Sequence, residues 1–396
     1  MFKLEWIARH FQMVAGLQFA DIQQRGPFAF WHHVHRLEPL GADRCELIDK
    51  IEYELPASPI SQLLLGGYVK KKLARMFNYR HQTTVNDIRL VMNTGGRVMK
   101  IAVTGSHGLI GSQLIPFLTS LCHEVVRLVR AYPAQGDILW RPESGEIDKS
   151  SLEGLDAVVH LAGDSIAAER WTASKKARIR SSRVTGTRLL SQTLASLKKP
   201  PEVLISASAI GYYGNRADEV LTEESLPGTG FLADVCREWE SAVEPARRAG
   251  IRVANLRIGV VLSRAGGALT KMLPAFQMGA GGNIGSGKQW MSWVSSEDVI
   301  GSIYHVLTHK ELEGPINVVA PQAVTNSGFT AALGNVLHRP TVLPLPGFVA
   351  HLLLGEMADE LLLSSAQVKP CKLLESGYKF RHPALEPMLR ELLGVA

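Results

Sequence analysis

The sequence predicts an α/β protein: a doubly wound parallel sheet with a small C-terminal substrate lobe, preceded by a partial α+β unit. Three observations predict it. The apolar run Lys100-Ile-Ala-Val-Thr104 leads into glycines at 105, 108 and 111. Short apolar strands then alternate with helical stretches, the pattern of parallel strands joined by right-handed crossovers. This pattern starts near residue 100 of 396, so something separate stands in front of it.

Residues 1–92 read as that front unit. Strand patterns cover Gly16–Gln24, Phe28–Pro39 and Arg44–Leu55. A helix is expected over Ser58–Phe77, with Leu63, Leu64, Val69 and Leu73 on its apolar side. Residues 93–98 read as a linker, because Asn93-Thr-Gly-Gly96 breaks any regular element. The main sheet begins at 99. Its strand candidates are Lys100–Thr104, Glu124–Val129, Ile138–Trp140, Ala157–Leu161, Val203–Ala207 and Arg252–Ile258. Helices are expected over Leu109–Ser120, Thr172–Leu197 and Ala233–Ala249. Ala157-Val-Val-His-Leu161 is apolar nearly throughout, as a strand covered on both faces must be. From about 263 to 396 the pattern loosens into a glycine-rich loop and a mixed tail, the expected C-terminal lobe.

Composition narrows the class. Hydrophobic residues make up 46% and charged residues 20%, as in an ordinary globular protein. The net charge of +6 reads as a generic solvated surface. No basic run or aromatic-interleaved stripe points to nucleic acid. Cys45, Cys122, Cys236 and Cys371 lie far apart, without metal-ligand or redox spacing. A reducing cytoplasm is therefore expected. The N-terminus lacks the apolar core of a secretory signal. No apolar stretch is long enough for a membrane span. Nothing in the sequence sets an oligomeric state.

Each glycine of the turn answers a demand. Gly105 allows the tight turn, Gly108 lets backbone approach a pyrophosphate, and Gly111 lets the helix pack close to the strand. The helix beginning near Leu109 points its positive end at the phosphate. Thr104, Gly105, Ser106, His107, Gly108, Leu109, Ile110 and Gly111 are thus the first cofactor-binding candidates. Arg130 stands 19 residues after Gly111, at the end of the second strand. An acid about 20 positions on would hydrogen-bond the ribose 2′-hydroxyl of NAD. A guanidinium suits the 2′-phosphate of NADP instead, so NADP is preferred to NAD. The alternative is that Arg130 is a solvated strand-end charge. Leu161, Ala162 and Gly163 form a small-residue turn that leaves room for the dinucleotide. His160 reads as a satisfied core histidine.

Four segments together resemble the extended short-chain dehydrogenase/reductases. They are Thr104-Gly-Ser-His-Gly-Leu-Ile-Gly111, His160-Leu-Ala-Gly163, Ile205-Ser-Ala-Ser-Ala-Ile-Gly-Tyr-Tyr-Gly214 and Asn255-Leu-Arg-Ile-Gly-Val-Val-Leu262. Arg170-Trp171, Ser182-Arg-Val-Thr-Gly-Thr187, Gly285-Ser-Gly-Lys-Gln-Trp-Met-Ser-Trp293 and Gly314-Pro-Ile-Asn317 point further. They resemble the atypical, epimerase-like branch of the NAD-dependent epimerase/dehydratase superfamily, sometimes labelled cell-division inhibitor proteins. The resemblance covers residues 99–396 and implies a small polar or nucleotide-linked substrate. In front, Phe19–His35, Asp49–Pro56 and Phe77–His81 resemble the second half of a helix-grip (START-like or polyketide-cyclase-like) domain. His33 and His35 would share a strand face, with His32 opposite. No cysteine or clustered carboxylate completes a metal site there, so none is expected.

The wider family moves its proton with a Ser and a Tyr four residues before a Lys. Ser208 supplies the serine, with Ser206 two residues earlier on the same face and beside the cofactor. The Tyr-x-x-x-Lys pair is missing: Asn215–Pro245 contains neither residue. Tyr212 and Tyr213 are the candidate replacements, with Arg237 supplying positive charge. The alternative is that both aromatics wall the nicotinamide pocket or pack under it. Arg257 should emerge at the ligand-binding edge of the sheet, as a further cofactor contact. The glycine-rich stretch Gly279–Gly287, flanked by Trp290 and Trp293, reads as a lid or a surface linker. Asp298 reads as part of a helix cap. Two functions stay open: an NADP-dependent, epimerase-like oxidoreductase, or a dinucleotide-binding regulator with little catalysis.

Overall fold

A computed structural model describes residues 5–42, 44–92 and 97–395. Most of the expected linker, Asn93–Gly96, lies outside the described residues. The chain divides into two units at Asn86/Asp87.

The front unit is an antiparallel meander of four strands in sequence order, followed by one long helix. Its strands are Ile7–Val14, Gln18–Arg25, Phe30–Pro39 and Cys45–Glu54. The first was not expected; its polar residues, Arg9, His10 and Gln12, hide the alternation. The helix runs Ile60–Met92, well past Phe77. Residues 78–92 contain no glycine or proline, so nothing stops it. Its inward stripe is Gly66, Val69, Leu73 and Phe77, while Leu63 and Leu64 are exposed.

The second unit carries an eight-stranded sheet. Its order is Gly314–Val318, Arg252–Ile258, Val203–Ala209, Ala157–His160, Lys100–Thr104, Glu124–Val129, Ile138–Arg141, Glu146–Ile147. All pairings are parallel except the last. Strand order reverses between Lys100–Thr104 and Ala157–His160, so the ligand crevice opens at their C-terminal ends. Alternate residues feed the two faces. Ile101 and Val103 pack with Leu114 and Ile303, whereas Ala102 and Val158 pack with Leu190 and Leu194. A third cluster, with Leu269, Phe276, Trp293 and Phe329, builds the C-terminal lobe.

Two departures from expectation have clear causes. Ala233–Ala249 is two helices, Phe231–Ser241 and Glu244–Arg248. Pro245 has no amide to donate, so it sits in the first turn of the second helix. Gly314–Val318 is a strand despite Pro315, because it lies at the sheet edge, where one side needs no partner.

Candidate functional site

The glycine turn is dictated by close backbone approach. Gly105 adopts φ +68°, and a Cβ there would lie 2.8 Å from the Leu161 carbonyl. At Gly111 a Cβ would lie 2.3 Å from the Gly105 carbonyl oxygen. The helix Gly111–Ser120 therefore starts against the strand only because the side chain is absent. No side chain caps its N-terminus. His107 and Gly108 are exposed at the rim. Uncapped amides beside a turn that any Cβ would fill fit the pyrophosphate of a dinucleotide.

The turn is braced from behind. Thr104 Oγ1 accepts from the amides of Leu161 and Ala162 at 3.0 and 3.1 Å. Its hydroxyl is then left to donate to His160 Nδ1 at 2.7 Å. His160 Nε2–H in turn donates to Thr187 Oγ1 at 2.9 Å, which also accepts from Trp239 Nε1. Complete burial lowers the His160 pKa to about 4, so the ring is neutral. His160 is a core histidine, as expected. Thr104 requires a correction: its fully buried side chain ties two strand ends together and does not face the cofactor. The Leu109 side chain likewise packs on Gly266 and Gly267, and Ile110 packs on the core.

Arg130 projects from the end of the second strand with 70% of its side chain exposed. Its nearest carboxylate, Glu143, is 4.0 Å away. Arg127 is held instead by Asp137, through bonds of 2.8 and 2.9 Å. Sequence reasoning missed a second cation. Arg183 Cζ would lie 3.3 Å from a Cβ on Gly163, in the turn expected to make room for the dinucleotide. Its Nη1 donates to the carbonyls of Asp164 and Ile179. No carboxylate pairs with it among the described residues, and burial lowers its pKa. The signal was in the Ser182–Thr187 segment, one helical turn before Thr187.

Parallel register brings the expected catalytic serine into a row. Ser208, Arg257 and Asn317 are partners on three adjacent strands. Ser208 Oγ donates to Glu240 Oε1 at 2.7 Å. Arg257 clamps the same carboxylate with Nε and Nη2, both at 2.9 Å. Its Nη1 donates to Tyr213 Oη at 3.0 Å. Tyr213 Oη itself lies 2.7 Å from Asn317 Oδ1 and 2.9 Å from the Thr222 carbonyl.

Four expectations are corrected by this network. Arg257 is 3% exposed and fully engaged, so it is an internal clamp, not a cofactor contact. Tyr213 is completely buried and its hydroxyl is committed; burial pushes its pKa up to about 12. Arg237 points outward and pairs with Asp234, so the local positive charge comes from Arg257. Ser206 is fully buried, with its Oγ on a neighbouring carbonyl. Tyr212 remains accessible: half-buried, with its ring centroid 3.5 Å from Arg257 Cζ.

Cys236 and Glu240 lie four apart on the helix Phe231–Ser241, on the side facing Ser208. Cys236 is buried beside Ser208 and Glu240, and burial raises its thiol pKa to about 12. It stays a neutral thiol. The glycine-rich stretch packs against residues 343–345. A Cβ at Gly282 would lie 2.0 Å from the Leu343 carbonyl oxygen, and Gly285 N and Leu345 N bond across the same gap. Gly282 is required by this close backbone contact, and Trp293 is buried core. Asp298 is indeed at a cap: its amide donates to Ser295 Oγ. Its carboxylate accepts from the amides of Arg381 and His382.

Known proteins resemble this chain in sequence and fold. Residues 101–320 match the NAD dependent epimerase/dehydratase family, and residues 345–392 match a domain of unknown function. Epimerase family protein Mb2239 of Mycobacterium bovis is 45% identical over 283 residues, covering 71% of this chain and 93% of the relative. A nucleoside-diphosphate sugar epimerase from Corynebacterium glutamicum superposes with TM-score 0.80 at 34% identity, covering 99% of this chain and 78% of that one. Human epimerase family protein SDR39U1 (isoform2), solved with NADPH, gives TM-score 0.70 at 32% identity, covering 75% and 100%. Among the described residues, no helix is long and apolar enough to cross a membrane.

Proposed function

The chain belongs to the NAD dependent epimerase/dehydratase family, and we propose that it is an NADP(H)-binding, epimerase-like oxidoreductase acting on a small polar or nucleotide-linked substrate. The observation that carries the cofactor choice is Arg130, an exposed guanidinium where an acid would read the 2′-hydroxyl of NAD. NADPH in the human relative supports the same choice. The turn Gly105–Gly111 would hold the pyrophosphate, Arg130 the 2′-phosphate, and Leu161–Gly163 with Arg183 the nicotinamide half. When bound, the cofactor supplies or accepts a hydride.

The protein's own residues then handle the proton. Tyr212 is the donor, because its hydroxyl, unlike that of Tyr213, makes no hydrogen bond among the described residues. The Arg257 guanidinium beneath its ring favours a phenolate left behind. Glu240 fixes Ser208 as an orienting group. The description of the Corynebacterium relative as a sugar-nucleotide epimerase supports a nucleotide-linked substrate. For the front unit we adopt the partial helix-grip reading. Its antiparallel sheet, its long helix and a cleft of about 220 Å³ support a ligand-binding role.

One observation favours the regulator instead: Glu240, Arg257 and Tyr213 spend their polar groups on one another. Hydride exchange decides between the two. With NADPH deuterated at C4, the full chain should move label into or out of a metabolite pool. Tyr212→Phe should slow this by about 100-fold or more, the scale of general acid catalysis. Absence of exchange in every pool favours the regulator.

A further inference from the structure

The front unit buries a polar cluster that the second unit's chemistry does not use. Asp21, His33 and His35 are 8%, 3% and 4% exposed. Strand register assembles them: Asp21 pairs with His33, and His35 pairs with Asp49. The carboxylates thought missing from the sequence therefore come from the two neighbouring strands.

The hydrogen positions follow from Asp49. Its Oδ1 lies 2.9 Å from His33 Nε2 and 2.7 Å from His35 Nδ1, and its Oδ2 lies 2.5 Å from His81 Nε2. A carboxylate oxygen only accepts, so the protons of His33 and His81 sit on Nε2, on this side. His35 Nδ1 lies between the Asp49 carboxylate and the donor Arg80 Nη2, 3.1 Å away. The opposite nitrogens, His33 Nδ1 and His35 Nε2, are the ones open to an ion, which binds as any proton on them is released. Both face Asp21 Oδ2, at 3.2 and 3.5 Å. The other Asp21 oxygen accepts from Trp31 Nε1 at 3.1 Å, which fixes the carboxylate. Three atoms able to ligate an ion thus converge in a buried pocket of the sheet.

A cation relieves that convergence. In a tetrahedral site with ligand bonds of about 2.0–2.1 Å, donor atoms lie about 3.3 Å apart. The two separations from Asp21 Oδ2 fit, and all three donor atoms lie within 4.8 Å of one another. Metal-bound histidines usually donate their second N–H to a carboxylate, the part Asp49 plays for both rings here. The geometry points to a divalent first-row transition-metal site formed by Asp21 Oδ2, His33 Nδ1 and His35 Nε2, with Asp49 orienting both imidazoles. Asp49 also lines the cleft of the front unit, with Tyr53, Phe77 and His81. Metal loading would therefore alter the charge on one wall of that cleft.

The test uses the full chain stripped with a chelator, then titrated with Zn²⁺ alone and, separately, Co²⁺ alone. One ion per chain should bind. Cobalt should give the intense visible bands of a four- or five-coordinate site, and X-ray absorption of the zinc form should show two imidazoles. Asp21→Asn should weaken zinc by at least tenfold, and Asp49→Asn by about 10- to 100-fold. His32→Ala, on the opposite strand face, should leave it unchanged. Sub-stoichiometric zinc, or a zinc form with fewer than two imidazoles, overturns the site whether or not the variants fold. So does binding that Asp21→Asn leaves intact.

Discussion

Replacing Glu240 by alanine leaves the Arg257 guanidinium buried beside Tyr213 with no carboxylate. The two side chains are 12% and 4% exposed and share a two-pronged ion pair, and Ser208 donates to the same group. Breaking a buried pair from one side costs about 3–5 kcal/mol, chiefly because the remaining charge is stranded. Arg237→Ala, by contrast, removes an exposed pair whose side chains are 53% and 44% accessible. Such pairs contribute about 0–1 kcal/mol. Removing both members of the buried pair, Glu240→Leu with Arg257→Met, should cost less than Glu240→Ala alone. Urea unfolding of the full chain measures all three. The expected order of destabilisation is Glu240→Ala, then the double variant, then Arg237→Ala. If Glu240→Ala and Arg237→Ala cost the same, Glu240 and Arg257 are not the buried clamp described.

Gly111→Ala places a Cβ against the Gly105 carbonyl oxygen, where only backbone could yield. NADPH affinity should fall by more than tenfold, or about 1.4 kcal/mol, with little change in circular dichroism. Stability should also fall with acid. His160 titrates near 6.5 when unfolded but at about 4 when folded, so its contribution is complete above pH 6.5. It is lost as pH falls toward 4, amounting to roughly 3 kcal/mol at the end. His305, lowered to about 4 by burial and by His309, adds in the same direction. Urea midpoints between pH 7.5 and 4.5 should drop, and His160→Gln should flatten the slope.

The parts of the site legible in the sequence were those fixed by local sterics. Glycines at 105 and 111 are forced by contacts within one strand–turn–helix, so their spacing announces the turn. The exposed place of Arg130 was readable because it depends on strand-end position alone. The row Ser208–Arg257–Asn317 was not readable. It depends on register between strands far apart in sequence, and Pro315 disguised the third strand. For the same reason Asp21 and Asp49 appeared unrelated to His33 and His35. Glu240 went unnoticed because only tertiary packing brings its helix against Ser208 and Arg257. The close packing of Gly282 was not readable either, because glycine signals freedom or close approach alike, and its partner is the distant Leu343 backbone.

The central claim is that this Rossmann site selects NADP(H) through Arg130. Dissociation constants of NADPH and NADH for the full chain, with and without Arg130→Ala, test it most directly. A charge-assisted contact to the 2′-phosphate is worth about 1.5–3 kcal/mol, or roughly 10- to 100-fold. NADPH should bind tighter than NADH by that factor, and Arg130→Ala should remove the preference without weakening NADH. Equal affinities in the natural protein, or a preference that survives Arg130→Ala, would contradict the account.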